Sequence, residues 1–530
     1  MATLTSLPFI LFLVVVVTAI AENVNVPYPL LLVITGLIVG FIPGIPSWHP
    51  PSDIVLALFL PPILFSAARL ISWQDVKQHI GIITSLSIFL VLFSAIAIAW
   101  VLCWLIPGIH FATGLILGAI IAPTDVIAAH SILTKMNVPR HITRTIKVES
   151  LFNDACGIVL YKSALLLAVG KSLTVPEIGH QILFIGAGGI MIGLLFAYIS
   201  GIIIKQFLSH SENHLPIIMS LILAYVSYWF AEKLGASGVL AVVAAGLYHK
   251  KTERSVSASI RIAEKTVWDT LIFFLNGLIF ISIGTEFPNY LHSVSYLPIK
   301  NLLMFSFATI ICLFILRLVW VGITISIDQH RWQMKTGSFR QTTKAWKKSL
   351  IVSWAGMRGL VSLALAIALP PLTLSNPAVP IREIIIFLTI ITILFTLIAQ
   401  GLSLRPLIKI LAVSKNHEDD MKKIRDVYQQ LTEKALVRIN SNDFNPSHPD
   451  LNLHAKDIVV THYNNRLRHA LSPSKHLHHH KHAESLLARM LQFERDMLLK
   501  MRENDEISEE IYLKILLKLD RDEVSFSPYK

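Results

Sequence analysis

Charge is what this chain has little of. Only 15% of its 530 residues are Asp, Glu, Lys or Arg, and 54% are hydrophobic, whereas a soluble globular domain carries about 25% charged residues. That shortage excludes a water-soluble globular fold. Lys and Arg are missing altogether before Arg69, so the first apolar run, residues 7–20, lacks the positive n-region of a secretory signal and is expected to stay as a first membrane span. Cysteine is scarce as well. Cys103, Cys156 and Cys312 all fall in apolar runs without the spacing of a zinc or redox site, which excludes a disulfide framework and leaves packing as their expected role. No cofactor is expected, nor any metal beyond a transported alkali cation.

What is present instead is apolar sequence in separate runs of about 20 residues, the length that crosses about 30 Å of hydrocarbon. The windows lie near 7–21, 27–42, 53–69, 79–105, 111–132, 145–168, 178–205, 215–231, 236–249, 267–286, 299–326, 346–369 and 382–409. They predict an all-α polytopic membrane protein with about thirteen transmembrane helices. Glu232, Lys233 and Gly235 supply the only break between the eighth and ninth windows, which leaves an even count open.

Basic residues orient the spans, because short cytoplasmic loops hold an excess of Lys and Arg. Arg69 and Lys77, then Lys135, Arg140 and Arg144, then Lys250, Lys251, Arg254, Arg261 and Lys265, and last Arg331, Lys335, Arg340, Lys344, Lys347 and Lys348 all follow odd-numbered spans. Their bias puts the N-terminus outside and the C-terminus in the cytoplasm of a cell-membrane protein. It also accounts for much of the formal charge of +12 without nucleic acid. Residues 1–410 form the membrane domain and residues 411–530 a cytoplasmic tail. Met421, Ile424, Tyr428, Leu431 and Ala435 repeat there at helical spacing, a second amphipathic stretch runs from Glu484 to Leu519, and 445–449 forms a loop between them. The tail reads as a small helical domain or dimer contact, with regulation of transport as the sharper alternative. Its cluster His476, His478, His479, His480 and His482 makes pH sensing or metal binding physically available. Lys475 and Lys481 oppose a bound cation, and a solvated polar linker is the plainer reading.

The chemistry lies where polarity interrupts the apolar runs. Pro123 removes a hydrogen bond to Ala119 and crowds its carbonyl, so span five is expected to kink or unwind just before Asp125. Irregular backbone at membrane depth is tolerated only against protein or a water-filled cavity. Span six carries Glu149-Ser150-Leu151-Phe152-Asn153-Asp154. A carboxylate at the membrane centre costs about 3 kcal/mol on insertion scales, which marks these acids as functional candidates. On a helix, Ser150 and Asp154 share one face, and Glu149 and Asn153 the adjoining one. Hydroxyl, amide oxygen and carboxylate then meet as the hard oxygen donors that a small cation needs in place of its water.

Arg358 sits between Gly356 and Gly359 in the twelfth span and, being always charged, needs a carboxylate. Glu149 is the leading partner, as a structural ion pair that leaves Asp154 free. Arg317 is a second buried cation, for which Glu149, Asp125 or no partner remain open. Two interrupted spans, the fifth and the twelfth, each followed by a polar span, suggest two inverted six-helix repeats with discontinuous crossing helices, the pattern of secondary transporters.

Pro123-Thr124-Asp125, the hexad 149–154, the run Ser237 to Gly246, Phe274-Leu275-Asn276-Gly277 and Gly356-Met357-Arg358-Gly359 together resemble the monovalent cation/proton antiporter-1 family of sodium/proton exchangers. The resemblance covers about residues 5–410. It implies a homodimer with a dimerisation domain and a mobile core, exchanging Na+ or Li+ for H+. It also implies that Asp154 carries ion and proton, with Asn153, Ser150 and Thr124 completing the site beside Asp125. Asn153, in place of a second aspartate, resembles the electroneutral branch. A bare charge at Asp154 is disfavoured by burial, so proton and cation exclude each other there and exchange becomes obligatory.

Three rivals remain. A K+/H+ exchanger on the same fold differs only in cavity size and ligand placement. A cation channel is the next, since broken polar helices also line pores. An intramembrane serine protease is suggested by Gly235-Ala236-Ser237-Gly238, which needs a general base within reach of Ser237.

Overall fold

The computed structural model describes residues 7–24, 26–43, 52–71, 76–77, 80–106, 108–125, 127–168, 175–208, 214–252, 256–336, 345–370 and 381–413. In the C-terminal part it describes 426, 429–437, 460–461, 494, 496–498, 500–501, 504 and 515. Among the described residues there is no strand. The helices described are α1 Leu7–Val24, α2 Tyr28–Gly40, α3 Ser52–Arg69, α4 Ile80–Leu105, α5 Phe111–Ile121, α6 Ile127–Lys135, α7 Arg140–Ala168, α8 Val175–Ile203, α9 Leu215–Lys233, α10 Gly238–Thr252 and α11 Ala258–Ser293. Four more follow: α12 Ile299–Thr336, α13 Ala345–Trp354, α14 Leu360–Ile367 and α15 Ile381–Leu411. Each apolar window falls on one helix, except the fifth and twelfth, which are each divided in two.

Seven of the helical segments are long and apolar enough to cross a membrane, and Pro8–Val24, Tyr28–Gly40, Leu56–Arg69 and Phe111–Ile121 are shorter apolar helices. Their surfaces confirm the solvent they are built for. Along α12, Ile299, Leu303, Phe307, Ile311, Ile315, Val319, Ile323 and Ile327 recur every fourth residue and are all exposed. A stripe of that length would be an aggregation liability in water and is an ordinary lipid-facing surface in a bilayer.

Packing divides the membrane unit into two groups of helices. α1, α2, α3, α8, α9, α10 and α11 contact chiefly one another, and α4 to α7 with α12 to α15 do the same, with sparser contact between the groups. Among the described residues, three stretches are wound as π-helix: Thr84–Phe89 inside α4, Ile204–Leu208 after α8, and Thr396–Gln400 inside α15. Such widened turns free backbone and side-chain groups and cluster at functional sites. Ser87 in the first donates to the carbonyl oxygen of Glu149 at 3.1 Å, and Thr396 in the last accepts from Arg358 N–H at 3.1 Å.

Residues 416–530 form a separate compact unit. Residues 429–437 are helical there, and Gln429 donates to Glu433 one turn on at 2.8 Å. The histidine cluster His476, His478, His479, His480 and His482 lies outside the described residues.

Candidate functional site

The two divided windows meet. α5 ends at Ile121 and α6 begins at Ile127, while α13 ends at Trp354 and α14 begins at Leu360. The non-helical links are joined by a backbone hydrogen bond from Asp125 N–H to Met357 O at 2.7 Å. Four helix ends therefore converge, two bearing partial positive charge and two partial negative. Each kind is met by a side chain of opposite sign. Asp125 places Oδ2 at the start of α14, accepting from Leu360 N–H at 3.3 Å. Arg358 turns to the carbonyl ends, donating from Nε to Ile121 O at 3.1 Å and from an η nitrogen to Gly356 O at 2.7 Å. A Cβ on Gly359 would collide with the Asp125 carboxylate, and one on Gly157 with the Pro123 ring. Only glycine lets α14 and α7 come so close to the break.

α7 supplies the remaining groups. Glu149, Ser150 and Asn153 are buried, and Asp154 is partly buried. Asn153 Nδ2 donates to Thr124 Oγ1 at 2.9 Å, and Thr124 Oγ1 donates to Glu149 Oε1 at 3.4 Å. One chain of hydrogen bonds thus ties the motif of span six to the break in span five. Asp154 enters none of the ion pairs found among the described residues. Within this constellation Glu149 Oε2 and Asn153 Oδ1 are buried without a hydrogen-bond partner among the described residues. Unspent oxygens of that kind suit a cation or water.

The expected pair between Glu149 and Arg358 does not form. Glu149 pairs with Arg317 of α12, whose η nitrogen lies 2.6 Å from Oε1. Arg317 also donates to Ser353 O at 3.2 Å and Val352 O at 3.1 Å, carbonyls in the last turn of α13. The physical reason is division of labour between two guanidinium groups. Arg358 lies within the break and is consumed by the carbonyls beside it, whereas Arg317 reaches Glu149 from a separate helix. Of the alternatives open for Arg317, Glu149 is the one realised.

The sequence assigns no role to Ser87 or Gly157, and marks Thr396 only as one of the threonines that make the last span polar. Ser87 carries no signal, because a hydroxyl in an apolar helix usually satisfies its own backbone. The glycine at 157 was visible without the partner that explains it. Ser237, the nucleophile of the protease alternative, accepts Leu240 N–H at 3.2 Å and so caps α10.

Comparison with known proteins agrees with this architecture. The family model described as sodium/hydrogen exchanger, transmembrane, matches residues 10–410. A sodium, potassium, lithium and rubidium/H+ antiporter of Bacillus pumilus is 30% identical over 395 residues, which is 72% of this chain and 57% of the relative. The protein of the same description from Bacillus subtilis is 27% identical, covering 94% of this chain and 76% of its own length. The chain thus spans little more than half of the first relative and about three quarters of the second. Among solved structures, the sodium proton antiporter MjNhaP1 of Methanocaldococcus jannaschii shares the fold with a TM-score of 0.60 at 22% identity, covering 78% of this chain and 100% of that one. With the family model matched from residue 10 to residue 410, this chain belongs to the sodium/hydrogen exchanger family of membrane transporters.

Proposed function

We propose that the protein is a secondary active antiporter that exchanges Na+ or Li+ for H+ across the cell membrane, one cation against one proton. The observation that carries this reading is the position of Asp154. It stands beside two broken helices whose charged ends are already neutralised by Asp125 and Arg358, and it is left outside the Glu149–Arg317 pair. One carboxylate then has no structural duty and can alternate between proton and cation. Ser150, Asn153, Thr124 and Asp125 supply further oxygens around it.

Alternating access follows from the division of the helices. The group containing α5, α7 and α14 carries the site, and the group containing α2, α3, α9, α10 and α11 forms the wall against which it moves. If the first group crosses only when Asp154 is neutralised, uncoupled flux of either ion is suppressed. The full set of thirteen spans in two inverted repeats, the external N-terminus, the homodimer in membrane lipid and a regulatory tail at 411–530 belong to the same proposal.

Transport in everted vesicles with a pH-sensitive dye tests it. Wild type should dissipate a proton gradient on addition of Na+ or Li+, and Asp154→Asn should not. Exchange by Asp154→Asn at the wild-type rate would overturn the site assignment. A second reading, exchange of K+ as well, is favoured by the breadth of cations in the names of the two Bacillus relatives. K+ added to the same vesicles separates the two.

A further inference from the structure

A second ion pair lies away from the transport site and joins the two groups of helices. Lys162 on α7 places Nζ 2.7 Å from each carboxylate oxygen of Glu232 at the end of α9. Glu232 Oε1 also accepts Gly238 N–H at 3.0 Å, the first residue of α10. The carboxylate is therefore held by the α9–α10 hairpin before Lys162 reaches it. α7 otherwise packs mainly on α4 and α5, and the hairpin on α3 and α8. Lys162 lies eight residues after Asp154 on one continuous helix, about 12 Å along its axis. By the distribution of basic residues, the end of α7 that bears Lys162 and the end of α9 that bears Glu232 both face the outside.

We propose that Lys162 and Glu232 form a latch at the extracellular mouth, a pair of positioning residues that holds the helix bearing Asp154 against the α9–α10 hairpin and must part in each transport cycle. The proposal rests on the alternating-access reading above. Any shift of α7 along the hairpin breaks a contact that uses both oxygens of one carboxylate. The closed latch favours the state open to the cytoplasm, and opening it releases the mouth to the outside. Both side chains are about one-third exposed, 33% and 31%, so the latch biases an equilibrium and does not lock it.

The test is sided. The apparent KM for Na+ is measured in right-side-out and inside-out vesicles for wild type, Lys162→Gln, Glu232→Gln and the exchange of charges, Lys162→Glu with Glu232→Lys. Each single variant should lower the external KM and raise the cytoplasmic one, each by about two- to five-fold, and the exchanged pair should restore both. Lys162→Gln leaves the contact between Glu232 and Gly238 in place, which separates loss of the latch from damage to the hairpin. A parallel readout needs no transport. With the native cysteines replaced by alanine, Ile158→Cys puts a thiol one turn beyond Asp154 at a position only 4% exposed. An impermeant maleimide should label it from outside faster when the latch is removed. Unchanged KM on both faces, a change of both KM values in one direction, a raised external with a lowered cytoplasmic KM, no recovery in the exchanged pair, or unchanged labelling would each overturn the latch. Labelling of Ile158→Cys as expected, with a wild type that exchanges no Na+ for H+, would count against the antiport proposal instead.

Discussion

Arg317 and Glu149 meet at 2.6 Å with side chains 3% and 1% exposed, and this contact fastens three elements at once. Glu149 belongs to α7, Arg317 to α12, and the carbonyls of Val352 and Ser353 that Arg317 also binds lie in the last turn of α13. The pair therefore sets where α7 stands relative to the second broken helix. Asp154, five residues after Glu149 on the same helix, enters no ion pair among the described residues.

Removal of Arg317 should be costly for stability. Arg317→Met leaves Glu149 buried without its cation and strips two carbonyls of their donor, a loss of about 3–5 kcal/mol when one partner of a buried pair is deleted. Thermal unfolding of the purified protein in detergent should show a marked fall in Tm. Adding Glu149→Gln removes the stranded charge and should recover part of it. A single variant as stable as wild type would refute the pairing.

Arg358 does a different job, and lysine should not replace it. The guanidinium reaches Ile121 O and Gly356 O from separate nitrogens, whereas an ammonium on a flexible stem lacks the planar fork. Each hydrogen bond from a charged donor is worth about 1.5–3 kcal/mol, so Arg358→Lys should slow exchange at least about tenfold in vesicles with normal protein content. Exchange at the wild-type rate would show that the carbonyl ends need no such cation.

How far the sequence reveals these roles depends on the range of each interaction. The helices and the two interruptions were legible because apolar runs, Pro123 and the glycines around Arg358 act on their own neighbours. The common face of Ser150 and Asp154 was legible for the same reason, since helical periodicity is local. Which arginine pairs with Glu149 was not. The answer depends on α12 arriving beside α7 across 168 residues of sequence, and on backbone carbonyls competing for Arg358. Nor does any sequence pattern show that Lys162 finds Glu232, because the surrounding residues of both are ordinary for a helix near a membrane surface.

Two glycines should resist even alanine. A methyl at Gly359 meets the Asp125 carboxylate, and one at Gly157 meets the Pro123 ring. Overpacking costs about 1–3 kcal/mol, here at the point where the broken helices cross. Gly359→Ala and Gly157→Ala should each reduce Na+-dependent proton exchange about tenfold or more. As a control, Gly322→Ala on α12, where a Cβ meets nothing, should leave exchange unchanged. Equal rates in all three variants would mean that the approach seen here is not required for transport.

Competition at Asp154 has a signature in the pH dependence of cation affinity. If proton and Na+ neutralise the same carboxylate, as proposed, raising the proton concentration on one face should raise the apparent KM for Na+ on that face. Where the carboxyl is mainly protonated, one-for-one competition raises KM about tenfold for each pH unit lost, and the effect flattens at higher pH where the carboxylate is already free. Saturating Na+ should recover the full rate as far as the cation can displace the proton. On the proposed one-for-one exchange at a single group, transport should also carry no net current across vesicles mounted on a solid support. A KM independent of pH, with only the maximal rate changing, would place proton and cation at separate sites. A steady current coupled to Na+ would require more than one proton for each cation and a second titrating group, for which Asp125, already at the start of α14, is the nearest candidate to mutate.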